Sequence, residues 1–297
     1  MYLYILMLHA FFFSTFSIFT LHHRNRGLGK TVEVLSLIML RQRPYVSLPE
    51  PYPGPEAPRL AIQCYCGDSS RDAELVVCMR CGVQQHVDCA DYDPAIEEQF
   101  LCGLCQSVRP PLSVRTTLIV TPSVLKQQWQ TEIHKHVKSS CKVMVYSGVH
   151  KGKGYISPAR IAQYDVVLTT YDVLRSELVH LQCTDMSNRL RFPKRFPPVP
   201  TPLKCIQWWR VCLDEAQMVE SEGSNVSIMA AQLQACNRWC VTGTPISNSI
   251  HDIAGLLCFL HAVPFDTTKY VVKVFNLKGK KMKRKKMERR KTRKWRR

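Results

Sequence analysis

The most restrictive feature of this 297-residue chain is a series of eight metal-ligand side chains between positions 64 and 105. It reads Cys64-x-Cys66, Cys78-x2-Cys81, His86-x2-Cys89 and Cys102-x2-Cys105. Thiolate with imidazole is the donor set that zinc takes in closed structural sites, and eight such ligands make two tetrahedral sites. In a cross-braced finger alternate pairs share a metal. That groups Cys64, Cys66, His86 and Cys89 around one Zn2+, and Cys78, Cys81, Cys102 and Cys105 around the other. Free core cysteines do not fall into four close pairs, and a redox C-x-x-C lacks its thioredoxin-like surroundings here. The other seven of the fourteen cysteines are scattered without a pairing pattern, which favours metal ligation in a reducing compartment over a disulfide framework.

A second constraint is the stretch GLGKT, formed by Gly27, Leu28, Gly29, Lys30 and Thr31. Glycine lets backbone N–H groups approach phosphate oxygens, a lysine neutralises β/γ charge and a threonine hydroxyl can hold Mg2+. The full eight-residue form of the loop would need glycine at position 24, where Arg24 stands. Further on, WWRVCLDEAQ ends an apolar run in Asp214 and Glu215. Such a pair can put one carboxylate on the Mg2+ shell and another where it polarises the attacking water. The sequence VTGTP then supplies Thr242, Gly243 and Thr244 in a strand-to-turn position that can link phosphate state to movement.

Between these motifs apolar strands alternate with amphipathic helices, which implies a parallel sheet covered on both faces. A buried helix is expected from Thr31 to about Arg43. Strands are expected in 116–122, 142–148, 164–171, 208–217 and 238–245. Helices are expected in 123–137, with Ser123 as N-cap, in 227–236 and in 251–260. The proline-rich stretch 43–60 reads as a linker, and a 45% hydrophobic content supports a packed core. The net charge of +18 suggests a polyanionic partner, but it is concentrated in residues 278–297, where fourteen Lys or Arg meet the single acid Glu288. That tail reads as a nucleic-acid contact, a nuclear localisation signal or a solvated charge run.

The eight-ligand order, with histidine fifth, resembles a PHD finger. Many of these read histone tails, with acidity that Asp68, Asp72 and Glu74 could supply here. Gln84 stands where methyl-lysine readers carry tryptophan, so no methyl-lysine cage is expected. GLGKT, LIVTPSVLKQQWQTEI, DVVLTTYDVLRSEL, LDEAQ and VTGTP, taken in order, resemble the motifs of Swi/Snf-type DNA-dependent ATPases of helicase superfamily two. A PHD finger placed between the first two motifs resembles the SHPRH subfamily, and WWRVCLDEAQMVES is most like its plant members.

The resemblance implies an α/β fold: an incomplete, parallel-sheet RecA-like helicase lobe with an inserted, zinc-stapled PHD finger. It implies ATP and Mg2+ at Gly27 to Thr31, with catalytic acids at Asp214 and Glu215, and a coupling motif at Thr242, Gly243 and Thr244. Gln217 replaces the usual histidine at the end of the acidic motif. The expected division is an apolar, non-homologous leader in 1–26, the phosphate-loop helix in 27–43 and a linker in 44–60. A zinc finger in 61–107, the rest of the ATP-binding lobe in 112–266 and a basic tail in 267–297 complete it. Expected partners are DNA or chromatin and a histone tail, in the nucleus.

Residues 1–21 are apolar enough to span a bilayer, and three readings of them stand side by side: a signal peptide, a membrane anchor flanked by His22, His23, Arg24 and Arg26, and non-native coding sequence. Without an anchor there, no membrane partner is expected. Relatives read roughly ADEMGLGKT after the first strand of the lobe, so that strand is expected to be missing. No second lobe or RING pattern is recognisable, and this polypeptide is expected not to hydrolyse ATP by itself. Two functions follow: a piece of an ATP-driven remodeller whose parent is also a ubiquitin ligase, or a non-catalytic histone- or nucleic-acid-binding module on a crippled lobe.

Overall fold

The structure, a computed structural model, describes residues 21–22, 30–44, 61–137, 140–149, 155–181, 199–221, 223–243 and 252–263. In the lobe, parallel strands lie in the order β1 (Leu21–His22), β9 (Gln234–Val241), β8 (Ile206–Asp214), β5 (Thr117–Thr121), β7 (Val166–Thr170) and β6 (Val143–Val145). A short β4 (Leu112–Ser113) adds to β8 beside Ile206 and Gln207, before β5 takes over the pairing at Arg210.

Alternate residues of the central strands feed opposite cores, as period-two geometry requires. Leu118, Val120, Val167, Val211 and Leu213 face a core closed by α6 (Tyr171–Leu181), α7 (Asn225–Gln232) and α8 (Asp252–Phe259). Ile119, Val166, Leu168, Cys212 and Trp239 face the other core, closed by α1 (Lys30–Leu40) and α4 (Lys126–His136) through Val34, Leu35, Ile38, Trp129 and Ile133. β5 and β7 are buried along their whole length. This explains their continuous apolar texture: each such side chain contributes about 1.5–3 kcal/mol by leaving water.

The cysteine-rich segment forms its own small unit. The antiparallel pair β2 (Leu75–Val77) and β3 (Gln84–His86) is followed by α2 (Val87–Ala90) and α3 (Gly103–Ser107), around Cys78, Ala90, Phe100, Leu101 and Cys102. It leans on the lobe through α5 (Pro158–Ala162) and the segment near Pro200. Arg160 Nε lies 2.7 Å from Asp91 Oδ1, and the Ser157 N–H donates to Asp91 Oδ2 at 3.0 Å. The Tyr155 N–H donates to the Cys89 carbonyl at 3.2 Å, and the rings of Tyr65 and Tyr155 are 5.5 Å apart.

Several expectations need correction. The helix read over 227–236 ends at Gln232, and Gln234 already begins β9. Arg238 explains the stop, because its guanidinium donates to the Leu233 carbonyl and to the Phe259 carbonyl. Ser123 does not cap α4: it opens a 3₁₀ turn, Ser123–Leu125, and its hydroxyl donates to the Asp172 carboxylate. The strand expected to be missing from the first edge is present as the two-residue β1, parallel to Cys240 and Val241 of β9. Among the described residues no helix is long and apolar enough to cross a membrane. Of residues 1–21, on which the three leader readings rest, 1–20 lie outside the described residues, as does the basic tail.

Candidate functional site

Four parallel strands end on one edge of the sheet, and the motif residues gather there, as α/β sheets favour. Asp214 is the last residue of β8 and is only 6% exposed. Its Oδ2 accepts the Trp129 indole N–H at 2.8 Å and the Thr121 hydroxyl at 3.2 Å, while its Oδ1 accepts the Glu215 backbone N–H at 3.0 Å. The Tyr171 hydroxyl, just past β7, donates to the Asp214 carbonyl at 2.8 Å. Burial raises the Asp214 carboxyl above its ordinary range, and the Trp129 hydrogen bond opposes that rise.

Glu215 adopts a left-handed backbone, φ 50° and ψ 54°, uncommon for a residue with a Cβ. The bend takes the carboxylate off the strand direction and toward the head of α1. Lys30 Nζ lies 3.4 Å from Glu215 Oε1, and Glu215 Oε2 accepts the Gln217 amide at 2.9 Å. The Gln217 carbonyl oxygen accepts the Thr242 hydroxyl at 2.7 Å, and Thr242 is fully buried just beyond β9. Lys30, Glu215, Gln217 and Thr242, separated by up to 212 positions, thus form one continuous polar chain beside Asp214. Thr31 follows Lys30 in the first turn of α1, and Gly243 follows Thr242. Gly27, Leu28, Gly29 and Thr244 lie outside the described residues. Asp214 and Glu215 offer carboxylate oxygens of the kind that hard divalent cations take.

The cysteine unit brings its ligands together in the two expected groups. The ligand atoms of Cys64, Cys66, His86 and Cys89 lie within 4.8 Å of one another, and so do those of Cys78, Cys81, Cys102 and Cys105. A tetrahedral site with Zn–S bonds near 2.3 Å has S···S edges of about 3.8 Å. Cys81 Sγ and Cys102 Sγ are 3.8 Å apart. His86 Nδ1 lies 3.3 Å from Cys66 Sγ, while Nε2 lies 3.1 Å from the Ser70 carbonyl. A carbonyl on Nε2 fixes the proton there and leaves Nδ1 free to ligate, the usual outer-shell arrangement of a metal-bound histidine.

Electrostatics point the same way. Hydrogen bonds from the Cys102 and Cys105 thiols hold Cys78 far below the ordinary thiol range, and the same Cys102 and Cys78 contacts push Cys105 far above it. Burial, with the Cys64 contact, pushes Cys89 up to about 12. Four sulfurs this close cannot all ionise without a cation among them. The donor set therefore fits two zinc ions.

Trp129, Thr121 and Tyr171, which hold Asp214, lie within LIVTPSVLKQQWQTEI and DVVLTTYDVLRSEL, but nothing in those stretches marks them as partners of an acid. Tyr171 ends one expected strand and Thr121 stands one residue before the end of another.

Comparisons with known proteins place the chain in a family. The chain is 40% identical over 222 residues to "E3 ubiquitin-protein ligase SHPRH" of Homo sapiens, covering 72% of this chain and 13% of that protein. It is 38% identical over 151 residues to "DNA repair protein RAD5A" of Arabidopsis thaliana, covering 50% of this chain and 13% of that one. The chain thus spans about an eighth of either relative's length. The solved "Sulfolobus solfataricus SWI2/SNF2 ATPase core in complex with dsDNA" aligns with 53% of this chain and 27% of that one, at 22% identity and a TM-score of 0.39. The model of the SNF2-related domain matches residues 23–293, and the chain, Swi/Snf-type and SHPRH-like, belongs to that family.

Proposed function

We propose that this chain is the nucleotide-binding part of an ATP-dependent, DNA-stimulated Swi/Snf-type remodeller, with a PHD-type zinc finger inserted after its first helix. The observation that carries the reading is the polar chain from Lys30 through Glu215 and Gln217 to Thr242, beside the buried Asp214. Lys30 would take the β/γ-phosphates of ATP, leaving Glu215, its partner in this structure. Thr31 and Asp214 would hold Mg2+, which supplies charge neutralisation on the phosphates when bound. Glu215, freed from Lys30 and still oriented by Gln217, would accept a proton from the attacking water. Thr242 would feel that change through Gln217 and pass it to the segment after β9.

The division proposed is the one read from the sequence, with Cys64, Cys66, His86 and Cys89 on one Zn2+ and Cys78, Cys81, Cys102 and Cys105 on the other. DNA and chromatin are the proposed partners, with a histone tail on the finger, in the nucleus. The relatives, a ubiquitin ligase and a DNA repair protein by name, support a parent protein that works on chromatin and also ligates ubiquitin. The test is MgATP binding by the zinc-loaded chain, followed by fluorescence of a labelled nucleotide. Binding that disappears in Lys30→Ala supports the reading, and unchanged affinity in that variant overturns it.

A further inference from the structure

One strand, with the residue that follows it, holds the first helix at both ends. α1 begins at Lys30, whose ammonium lies 3.4 Å from Glu215, and ends at Leu40. Carbonyl groups at a helix C-terminus lack partners inside the helix. The Arg41 carbonyl, one residue past the end, accepts two side-chain N–H groups from β8: Trp209 Nε1 at 3.0 Å and Arg210 Nη2 at 3.0 Å. Arg43 extends the anchor, donating to the Val114 carbonyl at 2.8 Å with its guanidinium 5.7 Å from the Trp209 ring centroid.

Arg210 is 1% exposed, and among the described residues no carboxylate stands within ion-pair distance of it. Its other contacts are the Thr117 hydroxyl at 3.1 Å and the Trp239 ring, 4.1 Å from the guanidinium. A buried cation without an anion costs stability unless dipoles and rings replace its water. A device that costly calls for a role beyond packing, and the dimensions suggest one. Eleven helical residues span about 16 Å at 1.5 Å each. Four strand steps from Arg210 to Asp214, about 13 Å at 3.3 Å each, and the bend into Glu215 reach about the same length. Helix and strand therefore close a frame, with Lys30 against Glu215 at one end and Arg41 against Arg210 at the other. A slip of α1 by one turn, about 5.4 Å, breaks both ends together.

We propose that Arg210, assisted by Trp209, is the positioning residue for Lys30, fixing α1 against β8 and so setting the separation between the phosphate-binding ammonium and the paired acids. The proposal rests on the nucleotide reading above for its consequence, and on geometry alone for the placement. The full zinc-loaded chain tests it with Trp209→Phe, which keeps an aromatic ring while trimming the indole and removing its N–H, and Arg210→Lys, which keeps the charge and removes the planar fork. Two readouts are taken: MgATP affinity, and the rate at which an acylating reagent labels the Lys30 amine, with the other lysines as internal standards.

Each variant is expected to weaken MgATP about ten-fold and to speed Lys30 labelling several-fold, the scale of one lost hydrogen bond to a charged or ring N–H donor. Labelling of the other lysines stays constant. A residue that only stabilises the fold would speed all lysines alike, and that outcome overturns the proposal. Unchanged Lys30 labelling in both variants also overturns it, as does unchanged affinity where the wild type binds. If the wild-type chain shows no Lys30-dependent affinity, the nucleotide reading fails separately, and the labelling rates still decide whether Arg210 places Lys30. Should Arg210→Lys fail to fold, Trp209→Phe carries the test, since it removes one hydrogen bond and trims the ring without burying a new polar group.

Discussion

Replacing Trp129 by phenylalanine tests how Asp214 is held. The substitution removes the indole N–H that Asp214 Oδ2 accepts at 2.8 Å and leaves the weaker Thr121 contact at 3.2 Å. Loss of a hydrogen bond to a charged acceptor costs about 1.5–3 kcal/mol. Trimming a fully buried indole to a phenyl leaves a void worth about 1 kcal/mol more. The expected loss is therefore about 2–4 kcal/mol of unfolding free energy, measured by far-UV circular dichroism in urea. The pH dependence separates the two contributions. Burial raises the folded Asp214 carboxyl above its unfolded value, and without Trp129 it rises further. A carboxyl shifted that way contributes its stability at acid pH and loses it as pH rises through the folded value. The hydrogen-bond part of the deficit is thus larger at pH 8 than at pH 5, whereas the void part is the same at both. In an Asp214→Asn background the charged bond becomes a neutral one, and Trp129→Phe should cost about 1 kcal/mol less. Coupling below about 0.3 kcal/mol, with a deficit independent of pH, would refute this account of the buried acid.

Three further outcomes follow from other contacts. The zinc-loaded chain should carry two zinc ions by native mass spectrometry, and a Cys81→Ser variant that still retains both would contradict the proposed grouping. Gly103→Ala would put a methyl group 2.5 Å from Tyr65 Oη and 2.9 Å from Pro200 Cγ, so a loss of about 1–3 kcal/mol is expected; an unchanged urea midpoint would mean the finger does not pack there. Burial, reinforced by the Asp91 charge, pushes the Glu97 carboxyl up to about 7. Its contribution is present below the usual carboxylate range and lost as pH rises through about 7. Glu97→Gln should therefore raise the melting temperature at pH 8 and leave it nearly unchanged at pH 4; equal effects at both would exclude Glu97 as the titrating group.

Lys30, Asp214, Glu215 and Thr242 were legible because each belongs to a short motif whose chemistry dictates residue type. The eight cysteine and histidine ligand candidates were legible because their close pairs stand out in the sequence and the cross-brace rule groups alternate pairs. What the sequence concealed depends on register. Thr121 reaches Asp214 only because β5 pairs with β8 so that both strands end on the same edge. Trp129 stands in a stretch that resembles a family motif, yet nothing local marks its N–H as the partner of an acid 85 positions away. The stop after Gln232 was hidden because the residue that enforces it, Arg238, lies on the next strand. β1 was overlooked because two residues at the end of an apolar run carry no period. Gln217 was noticed only as a departure from the usual histidine, although its amide has one end on each neighbouring motif.

The attachment of the cysteine-rich unit bears on how such a protein could arise. The chain leaves the lobe at Arg43 and returns at Leu112, and the Arg43 guanidinium still touches the Val114 carbonyl at 2.8 Å. An excursion that starts and finishes at nearly the same place adds little loop-closure entropy to the host and need not disturb the order of its strands. A unit with a small core of its own, and with its cysteine and histidine side chains gathered inside it, is well suited to such grafting. The junction between α1 and β4 is in that sense a socket, where an ancestral lobe could accept a guest module without redesign of its sheet.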